Sequence, residues 1–233
     1  MRPLSFAANL FPSSVSTHVV HLDTPSDADL ALLVQSQLAL PERLETAVLK
    51  RRVEFLAGRH CAREAMRVGA PESAERVIAS GENREPLWPS GIVGAISHTS
   101  GYAAAAVARA HALRGVGLDI ERWVKPTAPE TIGAHIAREG ELAALVAQSA
   151  WSAPAALTLL FSAKESLYKC LYPQVQRFFG FHDATITHID PQRCTFVARL
   201  EVTLTEALAA GLTLEGRFER REDVIVTALT LGL

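Results

Sequence analysis

Apolar positions recur at helical spacing in the first third of the chain and alternate at strand spacing through its middle and its end. Residues 27–38 and 42–68 read as helices, the longer one carrying Leu49, Val53, Leu56 and His60 at helical spacing. Gly69 followed by Pro71 predicts its stop. A polar stretch at residues 81–89, punctuated by glycine and proline, leads into three short β-like runs at 92–97, 102–108 and 115–120. The connections between them, Thr99-Ser100-Gly101 and residues 109–114, are short enough to predict an antiparallel up-down-up meander. Residues 123–130, with two prolines, read as a linker. A helical region at 131–149 follows, then a helix that contains residues 164–169. The C-terminal third alternates β-like runs at 184–189, 194–204, 212–220 and 224–231, with Arg221-Glu222-Asp223 suited to a hairpin between the last two. The pattern predicts an α+β chain in two halves, 1–122 and 123–233.

In such a meander the first and third strands run the same way, so their C-terminal ends share one edge. His98 ends the first, and Asp119 and Glu121 end the third. Side chains alternate along a strand, so Asp119 and Glu121 point to one face and Ile120 to the other, provided no bulge intervenes. A site between the two halves is where this arrangement commonly places one.

Composition narrows the partners. The 233 residues are 48% hydrophobic, ample for a core, and the net charge of −2 gives no global attraction to nucleic acid or to an anionic membrane. Any anion-binding surface is therefore local. Cys61, Cys170 and Cys194 are widely spaced and form no metal-ligand pattern, which predicts reduced thiols in a cytoplasmic protein. The first residues lack the apolar core of a signal peptide, and no run approaches the roughly 18 apolar residues of a membrane span.

The chemical candidates each have a plain alternative. Asp119 and Glu121 end an apolar, glycine-flanked run, either as a presented pair or as a strand end paired with Arg114 and Arg122. Glu165 and Lys169 are helix neighbours at i and i+4, and Ser162-Ala163-Lys164-Glu165 also fits a capping box. Three carboxylates and a lysine, if they converge, suit a hard cation such as magnesium holding a phosphate. His98 is either a turn histidine or a phosphate donor supported by Ser97. The long helix carries Arg51, Arg52, Arg59, Arg63 and Arg67, with Arg52, Arg59 and Arg63 within about 40° of one another. That stripe is either a solvated face or a phosphate clamp. The loop Arg84-Glu85-Pro86-Leu87-Trp88-Pro89 adds an arginine and an aromatic face.

Together the segments Arg51-Arg52 to Ala57-Gly58-Arg59, the Arg84 loop, Ile96-Ser97-His98, Gly117-Leu118-Asp119-Ile120-Glu121 and Phe161-Ser162-Ala163-Lys164-Glu165-Ser166-Leu167-Tyr168-Lys169 resemble the Sfp-type 4′-phosphopantetheinyl transferases, among them the enterobactin-synthetase-component type. The likeness runs from about residue 45 to residue 181 and extends through Arg-Phe-Phe-Gly-Phe-His-Asp at residues 177–183. It implies a monomer of two pseudo-symmetric halves, each a small antiparallel sheet packed with helices, with coenzyme A bound between them. The implied enzyme moves the 4′-phosphopantetheine arm of coenzyme A to a serine of an apo carrier protein and releases adenosine 3′,5′-bisphosphate. By the same likeness Asp119, Glu121 and Glu165 hold Mg²⁺ on the pyrophosphate. Arg51, Arg52, Arg59, Ser97 and His98 contact the nucleotide phosphates, with Arg84 near the nucleotide. Lys164 and Lys169 contact the pyrophosphate, and Glu165, Lys169 and Asp119 carry the chemistry, Glu165 as base.

The carrier belongs to a fatty acid, polyketide or non-ribosomal peptide synthase, and its acidic helix is expected to meet a local patch that includes Arg177, Phe178 and Phe179. Two other readings compete. One is a magnesium-dependent hydrolase of phosphoanhydrides that needs no carrier. The other is an interaction module whose motifs are only caps and strand ends.

Overall fold

The structure, a computed structural model, describes residues 1–36, 38, 40–124 and 130–233, with backbone only at 130 and 131. Most of the expected linker, at 125–129, lies outside the described residues. The chain runs β1 (Arg2–Leu4), β2 (Val15–His21), α1 (Asp27–Gln35), α2 (Leu49–Gly69), β3 (Ala79–Ser80), β4 (Pro86–Leu87), β5 (Ile92–Thr99), β6 (Tyr102–Arg109) and β7 (Gly115–Arg122). It continues with α3 (Glu130–Ile136), α4 (Glu141–Ser149), α5 (Ala153–Val175), β8 (Ala184–Asp190), β9 (Thr195–Leu200), β10 (Thr213–Arg220) and β11 (Val224–Leu231).

Two antiparallel sheets result, in the orders β1-β2-β6-β5 and β7-β11-β10-β9-β8, with β3 and β4 pairing separately. Helix α2 buries Val53, Leu56, Cys61 and Ala65 against Ala103, Ala105 and Val107 of the first sheet. Helix α5 buries Leu160, Ala163, Leu167 and Leu171 against Phe196, Phe218, Ile225 and Leu229 of the second. A third cluster joins the sheets to each other, Ala95, Ala104 and Ala106 meeting Val116, Leu118, Ile120, Val224 and Val226. The alanine run is thereby explained: β6 is covered on both faces, and small side chains let a helix and a second sheet both close on it.

The expected meander is corrected. β5 and β6 form a hairpin in full register, but β7 leaves them and pairs along its whole length with β11, from Gly115↔Leu231 to Arg122↔Val224. The reason is written in its glycines. A Cβ on Gly115 would lie 2.1 Å from Cys170 O, and one on Gly117 2.0 Å from Ser166 O. The main chain of α5 rests directly on β7, and that places the strand in the sheet α5 covers. By hydrogen bonding the sheets therefore divide the chain between β6 and β7.

Other boundaries shift for local reasons. The helix expected from residue 42 begins at Leu49, after a 3-10 turn at Glu42–Leu44. The 131–149 region is two helices, α3 and α4, and Gly140 sits before α4 at φ +76°, a conformation glycine adopts without strain. The capping box does not form at Ser162, which lies well inside α5; it forms instead at Ser26 and Asp29, opening α1. No single described helix is long and apolar enough to cross a membrane.

Candidate active site

The site is built on one face of β7. Gly115, Gly117, Asp119 and Glu121 alternate toward α5, while Val116, Leu118 and Ile120 fill the cluster between the sheets. The unbroken register with β11 keeps Asp119 and Glu121 on the same face, as the spacing predicts. Strands β5 and β7 also advance together, since Ser97 Oγ donates to Asp119 Oδ1 at 2.7 Å and Thr99 Oγ1 donates to Glu121 Oε2 at 3.3 Å. The end of β5 thus lies beside the two carboxylates although the strands belong to different sheets.

Asp119 is 1% exposed and fully engaged. Its Oδ1 also accepts from Lys169 Nζ at 2.6 Å, and its Oδ2 accepts from Ser162 Oγ at 2.7 Å. Glu121 is poorly compensated. Burial, and next the neighbouring Asp119, raise its carboxyl to about 8, with Lys169 opposing. Burial raises Glu165 as well, and Lys169 again opposes. Three carboxylates therefore share one ammonium. Among the described residues no three such groups close into a ready-made metal cage. The donor set still fits Mg²⁺, which keeps several waters and takes one or two carboxylates together with substrate phosphate oxygens.

His98 Nε2 lies 2.7 Å from Arg51 NH1 and, since a guanidinium can only donate, accepts from it. Burial, then Arg51 and Lys169, push the imidazole down to about 4. It is neutral at neutral pH and holds the Arg51 guanidinium at the strand end, so its Nε2 is an acceptor here rather than a phosphate donor.

The remaining cations part company. Arg59 turns inward, donating Nε to Ile78 O at 2.9 Å and NH2 to Ser80 Oγ at 3.1 Å, and stacks over Phe55; burial lowers it to about 10. Arg63 donates to Ser36 O, and Arg67 to Glu64 and Glu75, so the stripe is dispersed among separate partners. Arg52 Nε is buried without a partner among the described residues. Lys164 is not brought to the cluster. Its ammonium donates to Ile136 O at 2.9 Å, Glu141 Oε2 at 2.8 Å and Phe181 O at 2.8 Å, acceptors that draw it into the core of the second half.

Between the halves runs a cleft of about 780 Å³, walled by the 81–88 loop with Arg84, by β5 at Gly94, Ala95 and Ile96, and by Glu165, Tyr168, Lys169 and Tyr172 of α5. A second pocket of about 270 Å³ shares Asn83, Glu165 and Tyr168 with it and ends among Phe178, Phe179 and Phe181. Asn83 Nδ2 donates to Tyr172 Oη at 2.9 Å across the cleft. Sequence reasoning passed over Asn83 and Tyr172 and read Ser162 only as a helix cap. Ser162 had one usable signal, since it stands seven residues before Lys169 and so shares its helix face.

Comparison with known proteins adds to this geometry. A family model described as the 4′-phosphopantetheinyl transferase N-terminal domain matches residues 40–108, and one described as the 4′-phosphopantetheinyl transferase superfamily matches residues 115–224. The chain is 33% identical to 4′-phosphopantetheinyl transferase PptT of Mycobacterium tuberculosis, over 97% of this chain and 98% of that one. It is 35% identical to 4′-phosphopantetheinyl transferase Svp of Streptomyces mobaraensis, covering 97% and 89% of the two chains. It is 33% identical to enterobactin synthase component D of Salmonella typhi, covering 98% and 88%.

Proposed function

The chain belongs to the 4′-phosphopantetheinyl transferase superfamily, and from that premise we propose that it transfers the 4′-phosphopantetheine arm of coenzyme A to a serine of an apo carrier protein. The observation that carries this reading is the place of Glu165, which lines both the cleft and the smaller pocket and shares the Lys169 ammonium with Asp119 and Glu121.

In this reading the nucleotide lies along the 81–88 loop and β5, with Arg51, Arg52 and Arg84 facing its phosphates. Arg59 holds the strand that precedes this loop, through the carbonyls of Ile78 and Ala79 and the Ser80 hydroxyl. Asp119 and Glu121, with Glu165 as third oxygen donor, would hold Mg²⁺. When bound, the cation neutralises the pyrophosphate and favours the leaving phosphate. Glu165 also takes the proton of the carrier serine, directly or through a water, a role that competes with cation ligation because a bound cation lowers the carboxyl's pKa. The serine oxygen bonds to the phosphorus that bears the arm, and the bond from that phosphorus to the bridging oxygen breaks. Adenosine 3′,5′-bisphosphate leaves with the electron pair, its charge met by Lys169. The Lys164 ammonium takes no part in this chemistry.

For the carrier, Phe178 is the presented member of the expected patch, 77% exposed beside the smaller pocket, whereas Phe179 is buried. We take the working protein as a cytoplasmic monomer. The test is incubation with coenzyme A and an apo carrier domain, read by mass spectrometry. The carrier is expected to gain the mass of the arm, and a chelator to abolish the gain. Hydrolysis of the pyrophosphate without transfer would overturn the reading in favour of a hydrolase. Arg177→Glu is expected to raise the KM for the carrier and leave that for coenzyme A unchanged.

A further inference from the structure

Beneath Asp119 lies a set of hydroxyls that the proposed chemistry does not use. Ser162, Ser166 and Thr227 are each 0% exposed, and they come from two elements, α5 and β11. Thr227 stands directly opposite Asp119 in the β7–β11 ladder. Ser162 Oγ lies 2.7 Å from Asp119 Oδ2 and 2.9 Å from Thr227 Oγ1. Thr227 Oγ1 also lies 2.8 Å from Ser162 O and 3.1 Å from Ser166 Oγ, while Ser166 Oγ donates to Ala163 O at 3.0 Å.

Counting protons gives the chain a direction. Asp119, paired with the Lys169 ammonium, accepts at both oxygens, so the Ser162 proton is committed to Oδ2. Thr227 has one proton, and Ser162 O, which can only accept, takes it at 2.8 Å, so Thr227 holds Ser162 through its main chain while Ser162 Oγ holds Asp119. The Ser162 hydroxyl is not needed to seat the helix. The main chain of α5 already touches β7 at Gly115 and Gly117, and an apolar side chain at 162 would fill the same space without a buried polar atom. Only Ser162 reaches the carboxylate, at Oδ2, while Thr227 Oγ1 donates to Ser162 O and Ser166 Oγ to Ala163 O.

We propose that Ser162, backed by Thr227, is a positioning residue that pins Oδ2 of Asp119 and so presents Oδ1 to the cleft, setting the protein's affinity for the divalent cation. The proposal rests on the metal site of the functional reading above. A carboxylate held on its inner oxygen keeps one rotamer, and the outer oxygen, which accepts from Ser97 and Lys169, is the one a cation would meet in place of one of those donors.

The test measures metal binding rather than turnover. Mn²⁺ is titrated into coenzyme A-saturated enzyme and free Mn²⁺ is read by electron paramagnetic resonance, for the parent and for Ser162→Ala, Thr227→Val and Thr227→Ser. Ser162→Ala is expected to bind Mn²⁺ roughly ten- to hundredfold more weakly, the usual range for the loss of a group that orients a ligand. Thr227→Val is expected to lose about threefold or more and Thr227→Ser to stay near the parent, because serine keeps the hydroxyl in less volume. Coenzyme A affinity in chelator should be unchanged in all of them. Mn²⁺ affinity within about twofold of the parent in Ser162→Ala overturns the proposal. If that variant does not fold, equal affinities in Thr227→Val and Thr227→Ser overturn it instead. Transfer by the parent to an apo carrier is assayed in parallel. A parent that fails to transfer defeats the functional reading, whereas a parent that transfers and binds Mn²⁺ no better than Ser162→Ala defeats this inference alone.

Discussion

Two lysines five positions apart on α5 end in opposite situations. Lys164 and its partner Glu141 have side chains only 2% and 1% exposed. Every polar atom there is matched: the lysine donates to three oxygens, and Glu141 also accepts from Ile186 N at 2.6 Å and Arg138 N at 2.8 Å. Lys169 and Asp119 form the other pair, with the lysine side chain 23% exposed at the cleft. There the neighbours outnumber the cation, since Glu121 and Glu165 both look to the same ammonium. A balanced ion pair joins α4, α5 and β8 and is complete. An unbalanced one leaves negative charge for something else to neutralise, and that imbalance distinguishes a reactive centre from a structural one more reliably than residue type does.

The comparison can be broken by removing each lysine. Lys164→Met should be the most costly in stability, about 3–5 kcal/mol in urea unfolding, because Glu141 stays buried without its counter-charge. Lys169→Met should cost less, about 1–2 kcal/mol, since Ser97 and Ser162 still donate to Asp119 and water can reach the vacated position. It should nevertheless slow transfer to a carrier by roughly a hundredfold or more. A larger stability loss at Lys169 than at Lys164 would reverse the assignment.

A smaller effect sharpens it. Glu121 titrates near 8 when folded against an ordinary 4.5, so it holds a proton in the native state that the unfolded chain has lost. Its stabilising contribution is present below pH 4.5 and is lost as pH rises through 8. His98 is lowered from 6.5 to about 4, so its contribution is present above 6.5 and is lost as pH falls toward 4. The two oppose each other over the acidic range. From pH 6.5 to 8 Glu121 acts without His98. The Tm of metal-free protein should fall across that window, and Glu121→Gln should flatten the fall. A flat parent profile would mean that the carboxylates are better compensated than their surroundings imply.

Much of this was legible in the residues, and the failures share a cause. The alternation at 115–121 gave the common face of Asp119 and Glu121, because a strand's period is a local property. It could not give the partner of β7, because short connections set direction and not pairing; the deciding contact is with Ser166 and Cys170, some fifty residues on. The capping-box pattern at Ser162 failed because the apolar run before it continues the helix from Ala153. The arginine stripe was correct as an angle on a wheel. Yet Arg59 answers to the carbonyls of Ile78 and Ala79, and nothing in α2 announces them.

The contact of α5 with the glycines of β7 acts as a ruler. Gly115 and Gly117 set helix and strand at main-chain distance, and Asp119 and Lys169 project from those same two elements. Their separation is therefore fixed by backbone thickness, which no repacking of side chains can adjust. An engineer who wished to fit this centre to a wider cation could not enlarge it by trimming the core. The helix would have to be re-hung, and residues 115 and 117 are where any such redesign would begin.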